Sequence, residues 1–169
     1  MKKITLTIIL LAVTTATYGQ YDIYNYNSYG VKQKTGTTSS NFSGGTDFYK
    51  FNSYGVKQKT GTAQSNFNNG VNYYDYNNYG VKQKKSTYEK NFINGVDQYN
   101  YNSFGIKQKT ATYEKNYWGG TDVYEYNNYG VKEKVGSYQK NFNGGTDIYR
   151  YNRFGVKEKV GTVEKKIGW

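Results

Sequence analysis

The chain has no cysteine, no histidine and no proline in 169 residues, and its one methionine is Met1. Each absence excludes something. Without cysteine there is no disulfide framework and no thiolate metal site. Without histidine the usual general base and the commonest transition-metal ligand are missing. Without proline there is no Pro-rich linker. Acidic residues are few, 12 against 23 Lys and Arg, for a net charge of +11. Mean hydropathy is −0.94, low enough to suggest disorder. An aromatic content of 19%, with 22 tyrosines, argues otherwise, because disordered chains are poor in aromatics. Tyrosine is amphipathic and its hydroxyl needs a partner or water. Such a chain can pack a thin layer and is poorly suited to a deep aliphatic core.

The one long apolar run is ITLTIILLAV, residues 4–13, behind Lys2 and Lys3. It is too short to span a bilayer comfortably and has the length of a signal-peptide core. Gly19, just before Gln20, offers a small residue for cleavage. Residues 1–19 are therefore read as a signal peptide and 20–169 as the mature domain. Loss of the two lysines lowers the charge from +11 to +9. The expected location is the periplasm, the cell surface or the extracellular space. With no cysteine to acylate, a lipoprotein is not expected, and the mature chain offers no second apolar run to span a membrane.

What is present is repetition. Gly30, Gly55, Gly80, Gly105, Gly130 and Gly155 recur every 25 residues without insertion or deletion. The unit reads T-D-x-Y-x-Y-N-x-Y-G-V-K-x-K-x-G-T-Y-x-K-N-F-x-G-G. A fixed period of this size marks solenoids, propellers and related arrays. Each unit offers a short alternating strand, such as DIYRYN (147–152), and an N-x-(Y/F)-G turn. A second strand and an N-F-x-G-G turn follow. Asn and Gly are the residues such turns demand, and no 3.6-residue apolar stripe appears. The expected fold is all-β: six tandem hairpins in one continuous array, either an open solenoid-like stack or a closed flower-like ring. The final VEKKIGW departs from the pattern as a terminal cap would.

Register decides which residues share a face. A four-residue loop, 27–30, sets Tyr26 opposite Val31 and Asn25 opposite Lys32. A three-residue loop, 28–30, sets Tyr26 opposite Lys32 and Tyr24 opposite Lys34. The first is favoured, because Asn25, Lys50, Asp75, Asn100, Glu125 and Arg150 share one position. So varied a position belongs in water, with the lysines beside it. Tyr24, Tyr49, Tyr74, Tyr99, Tyr124 and Tyr149 would then form a buried aromatic ladder. The turn aromatics Tyr29, Tyr54, Tyr79, Phe104, Tyr129 and Phe154 are the candidates for exposure and ligand stacking.

Every unit carries Lys-x-Lys: Lys32 and Lys34, Lys57 and Lys59, Lys82 and Lys84, Lys107 and Lys109, Lys132 and Lys134, Lys157 and Lys159. Aligned like charges disfavour stacking. Solvation is the plainest resolution. The others are pairing with Glu89, Glu114, Glu133, Glu158 or Glu164, or a basic stripe for an anionic polymer. No nucleic-acid-binding motif is present, so acidic polysaccharide or another envelope polymer fits the compartment better. Asp47, Asp97, Asp122 and Asp147 recur in the turns, with Asn72 in the second copy. Carboxylates repeated in like surroundings read as local caps and not as an acid/base pair. No catalytic residue, metal site or cofactor is expected.

The stretch Tyr24–Gly36 and its copies, Y-x-Y-N-x-Y-G-V-K followed by G-T, resembles the repeats of secreted bacterial five-fold β-flower proteins. This chain differs in Asn27 where Asp is usual, in a longer unit and in six copies. A looser likeness is to choline- and glucan-binding wall repeats, whose hairpin aromatics form ligand pockets, and a weaker one to MORN-type repeats. The resemblance implies a secreted, non-enzymatic protein. The function expected is multivalent binding of an anionic or sugar polymer through a Lys/Tyr surface. The alternative is a self-assembling fibre or matrix protein.

Overall fold

The computed structural model describes residues 20–165 apart from 78 and 153. The expected signal peptide and the last four residues of the expected cap lie outside the described residues. Twelve strands follow one another: β1 (Tyr21–Tyr26), β2 (Lys32–Ser40), β3 (Thr46–Phe51), β4 (Lys57–Ser65), β5 (Val71–Tyr76) and β6 (Lys82–Lys90) form the first half. The second half is β7 (Val96–Tyr101), β8 (Lys107–Lys115), β9 (Thr121–Tyr126), β10 (Lys132–Lys140), β11 (Thr146–Tyr151) and β12 (Lys157–Lys165). Every strand pairs antiparallel with its sequence neighbours, and β1 pairs with β12. The array is a closed barrel, so of the two expected architectures the ring is the one formed.

Ring closure changes the reading of the C-terminus. Val163, Glu164 and Lys165 oppose Ile23, Asp22 and Tyr21. This part of the tail is the closing strand and not a cap. Closure also removes the free edges along which folded copies could add strand to strand.

Following the pairing Tyr21–Thr38 and then Thr38–Phe48 arrives at the counterpart of Ile23, two residues further along the strand. Six such steps give a shear of twelve for twelve strands. Equal shear and strand number set a tilt of about 36°, and the usual strand spacing then gives a barrel radius of about 11 Å. Because every step is alike and the ring closes, equivalent residues of all units sit at one height.

Both turns have the same construction. Asn27 N–H donates to Val31 O and Gly30 N–H to Asn27 O, each at 3.0 Å. Asn27 Oδ1 accepts from the N–H groups of Tyr29 and Val31, at 3.0 and 2.9 Å. At the other end Asn41 Oδ1 accepts from Ser43 and Gly45 in the same manner. These are three-residue hairpin loops whose last residue has positive φ.

The three-residue loop overturns the favoured register. Tyr26 opposes Lys32, Tyr24 opposes Lys34 and Asn25 opposes Gln33. Tyr24 and Tyr26 therefore share the lysines' face, and the expected buried ladder of tyrosines does not form. A bulge between Lys34 and Gly36 then shifts the parity of each long strand. Above it Lys32 and Lys34 face outward; below it Thr37 does, while Gly36 and Thr38 face inward.

The interior is filled by two tiers. One holds Ile23, Phe48, Tyr73, Gln98, Val123 and Ile148, and the other Thr38, Ala63, Tyr88, Tyr113, Tyr138 and Val163, all buried. Strands six places apart in the ring lie opposite each other. Tyr88 is thus set across from Val163, Tyr113 from Thr38, and Tyr138 from Ala63. Large side chains reach toward small ones, which fills a round lumen without overpacking. Tyr113 donates to Gln98 Oε1 at 2.6 Å, giving one polar pair in this interior its partner.

Two glycines separate backbone freedom from space. Gly105 has φ of 74° with nothing near a built Cβ, whereas a Cβ on Gly95 would lie 2.5 Å from the carbonyl oxygen of Tyr113. Gly105→Val is expected to cost on the order of 1–2 kcal/mol, from the left-handed backbone alone. Gly95→Ala is expected to cost more, about 2–4 kcal/mol, because a strand must move. Urea denaturation of the two variants checks the order, and equal losses would contradict the turn geometry.

Candidate functional site

The barrel presents three surfaces that could meet a ligand: an outer wall and two rims. The wall carries the Lys-x-Lys pairs. Lys34, Lys59, Lys109, Lys134 and Lys159 form ion pairs at 2.7–2.9 Å with Asp22, Asp47, Asp97, Asp122 and Asp147. Each also lies over the ring at the Tyr26 position of the next unit, as Lys59 does over Tyr76 at 5.4 Å. Lys159 over Tyr26, at the same distance, repeats this across the seam. The other lysine of each unit sits over its own hairpin's first tyrosine, Lys57 over Tyr49 at 3.8 Å and Lys107 over Tyr99 at 4.0 Å. Where the preceding long strand supplies a glutamate the lysine pairs with it: Lys107 with Glu89, Lys132 with Glu114 and Lys32 with Glu164.

Acid and aromatic groups thus stand between the columns of lysine, which answers the like-charge problem. Internal pairing is prominent, and its acids are chiefly the turn-proximal aspartates. Each exposed pair is worth at most about 1 kcal/mol, and each ring contact about 0.5–1 kcal/mol. The lattice gains through repetition.

The aspartates are more than caps. Asp97 accepts from Asn91 Nδ2 at 3.1 Å, Thr112 Oγ1 at 2.9 Å and Lys109 Nζ at 2.7 Å. Burial pushes its pKa up, but these hydrogen bonds and the Lys109 charge outweigh that and leave it lowered. Asp47 and Asp147 follow suit. Burial likewise pushes Lys59 and Lys109 down, and their bonds to Asp and Tyr raise them overall. Among the described residues no cluster of three or more carboxylates could hold a metal ion.

One rim carries the predicted turn aromatics. Tyr29, Tyr54, Tyr79, Phe104, Tyr129 and Phe154 are 74–93% exposed, with Val31, Val56, Val81, Ile106, Val131 and Val156 half-exposed beside them. The glycines expected to make this turn, Gly30, Gly55, Gly80, Gly105, Gly130 and Gly155, all have φ of 73–75°. Inside this rim the register brings together a feature that sequence reasoning assigned to the outer surface. Asn25 pairs with Gln33, Lys50 with Gln58, Asp75 with Gln83, Asn100 with Gln108, Glu125 with Glu133 and Arg150 with Glu158. These twelve polar side chains face inward above the packed tiers and line the mouth of the barrel. Asn127 Nδ2 donates to Glu133 Oε1 at 3.1 Å, tying the mouth to the turn.

The opposite rim went unrecognised. Phe42, Phe67, Phe92, Tyr117 and Phe142 follow the capping asparagine of each N-F-x-G-G turn and are fully or nearly fully exposed. The signal was in the sequence: an aromatic at a loop tip, repeated in a turn whose geometry needs only Asn and Gly.

The outer wall is charged and the apolar tiers face inward, opposite to a membrane-spanning barrel. Among the described residues no helix is long and apolar enough to cross a membrane. Comparison with protein-family models gives no match, and comparison with curated proteins gives none either.

In the third unit Asn72 stands where the other five have Asp, and Thr87 donates to it at 2.9 Å. Lys84 there lies over Tyr101 at 4.8 Å. Asn72→Asp is expected to stabilise by about 0.5–1 kcal/mol through a new pair with Lys84. Thermal denaturation should show the gain in the wild-type background and not with Lys84→Gln.

Burial pushes Tyr73 up to about 12, and Tyr113 and Tyr138 well above the usual phenol value. Groups raised in the folded state contribute stability that is complete below the unfolded value near 10 and is lost as pH rises through the folded one. The raised lysines act in the same direction. For the lowered aspartates the loss comes on acidification, below the ordinary carboxylate value of 3.8. An alkaline titration should show a late fraction of tyrosinate appearing together with loss of the β circular dichroism. Complete ionisation near 10 with the fold intact would contradict the packed interior.

Proposed function

We propose that this is an exported, non-catalytic protein that binds a sugar polymer multivalently through the tyrosine rim and the polar mouth it encloses. The observation carrying this reading is the ring of six aromatics held at one height by six copies of the same turn. At the estimated radius, neighbouring platforms are about 11 Å apart. Exposed rings beside amide, carboxylate and cationic side chains are the equipment for stacking on sugar faces and bonding their hydroxyls. Weak sites repeated on one rigid body gain avidity without any strong single contact.

The lysines take a supporting role in this reading. Most are engaged with carboxylates or rings of the wall, so an acidic polymer is accommodated and not required. The resemblance to secreted β-flower proteins supports the exported, non-enzymatic part of this reading. The rival reading, a self-assembling fibre, has to use the rims, since the folded ring has no strand edge to offer. Sedimentation at rising concentration checks it.

Binding to a panel of neutral and acidic polysaccharides tests the proposal. Each rim aromatic replaced, as in Tyr29→Ala, Tyr54→Ala and Tyr79→Ala, is expected to weaken binding about tenfold. Added salt should change affinity little. Binding that collapses in salt and follows Lys→Gln changes on the wall, while ignoring the rim, would overturn it in favour of a basic stripe.

A further inference from the structure

We infer that the phenylalanine rim docks on the surface of a bilayer containing anionic phospholipid, leaving the tyrosine rim facing away from the membrane. Two observations at this end converge. The first is the row of aromatics at the loop tips: Phe42, Phe67, Phe92, Tyr117 and Phe142, with Trp118 and Ile93 also exposed. Four of these five tip residues are phenylalanine and carry no hydroxyl. Water gains nothing from them, and the turn does not need them, since Asn and Gly satisfy its backbone. Trp118 stacks edge-on to Tyr117 at 5.4 Å, making one broader apolar knob.

The second observation is charge. Lys90, Lys115, Lys140 and Lys165 end the long strands β6, β8, β10 and β12 immediately before these turns, and all four are exposed. Among the described residues none of the four is in an ion pair, the paired lysines being those of the Lys-x-Lys motif and Lys85. In β2 and β4 the same position is Ser40 and Ser65. The basic residues are therefore grouped on consecutive units of one rim. At the other end the mouth mixes both signs: Asp75, Glu125, Glu133 and Glu158 stand with Lys50, Arg150 and Lys85, the last paired with Asp75.

A bilayer is the occupant that fits both observations. Apolar side chains on protruding tips at one height, about 11 Å apart around the ring, meet a flat deformable surface all at once. A rigid protein partner would need a matching pocket for every tip. A second copy of this chain placed rim to rim would bring lysine against lysine. Aromatic side chains settle at the headgroup level, and lysines beside them are drawn to an anionic leaflet. The closed ring stays folded outside the hydrocarbon, since its wall is charged.

The test is flotation of the mature chain with vesicles of phosphatidylcholine alone and of phosphatidylcholine mixed with phosphatidylglycerol. Binding is expected to the mixed vesicles, weakened by salt. The triple variant Lys90→Gln, Lys115→Gln and Lys140→Gln should lose about a hundredfold, at roughly fivefold per lysine. Phe42→Ser, Phe67→Ser and Phe92→Ser should each lose about tenfold, and being at exposed tips they should keep the circular dichroism of the parent. Trp118→Phe should abolish most of a lipid-induced blue shift in fluorescence. No flotation with either vesicle, binding indifferent to the Phe and Lys changes, or a rim-to-rim dimer broken by the Phe changes would each overturn the inference. Polysaccharide binding is measured separately, so either result can fail without the other.

Discussion

The hydrogen bonds joining Tyr21–Asn25 to Gly161–Lys165 make the first and last units neighbours, and the rest of the molecule depends on that seam. A sheet of hairpins with both ends free would present two unpaired edges to every other copy. Closed, it has none, and each unit lies in the same surroundings as the other five. The chemistry across the seam matches that elsewhere: Lys32 meets Glu164 as Lys107 meets Glu89, and Lys159 covers Tyr26 as Lys59 covers Tyr76. Equality of surroundings is what lets a 25-residue sentence be repeated almost without change.

The hairpins, their turns and their period were legible because Asn-x-x-Gly and two-residue alternation each have one plain meaning. The faces were not. In K-Q-K-T-G-T-T-S-S strict alternation puts Lys32, Lys34, Gly36 and Thr38 together, and the bulge at Thr35 separates them. Nothing in the composition of that strand announces an extra residue. The position occupied by Asn25, Lys50, Asp75, Asn100, Glu125 and Arg150 looked like solvent because it varies. It does reach solvent, but at the mouth of the lumen and not on the outer wall.

The inner tiers vary for a different reason. Six identical large side chains converging on one axis would collide, and six small ones would leave a void. The interior must break the symmetry that the wall can keep. Thr38, Ala63 and Val163 across from Tyr113, Tyr138 and Tyr88 are that break. The wall shows the reverse. Its Lys, Tyr and Asp recur because each contacts only its neighbours around the ring and never meets its counterpart across it. Both candidate surfaces are loop tips whose capping asparagine fixes the backbone, which leaves the aromatic beside it free of structural duty.

The pairing of large with small across the lumen has an evolutionary consequence. With an even number of units, every long strand faces another long strand through the axis. Insertion or loss of a single unit at the level of the gene would set long strands against short ones, and every volume match in the interior would be lost at once. Tandem duplication, the easiest way for such a gene to grow, is therefore disfavoured one copy at a time. The core residues, and not the repeated wall, hold the number at six.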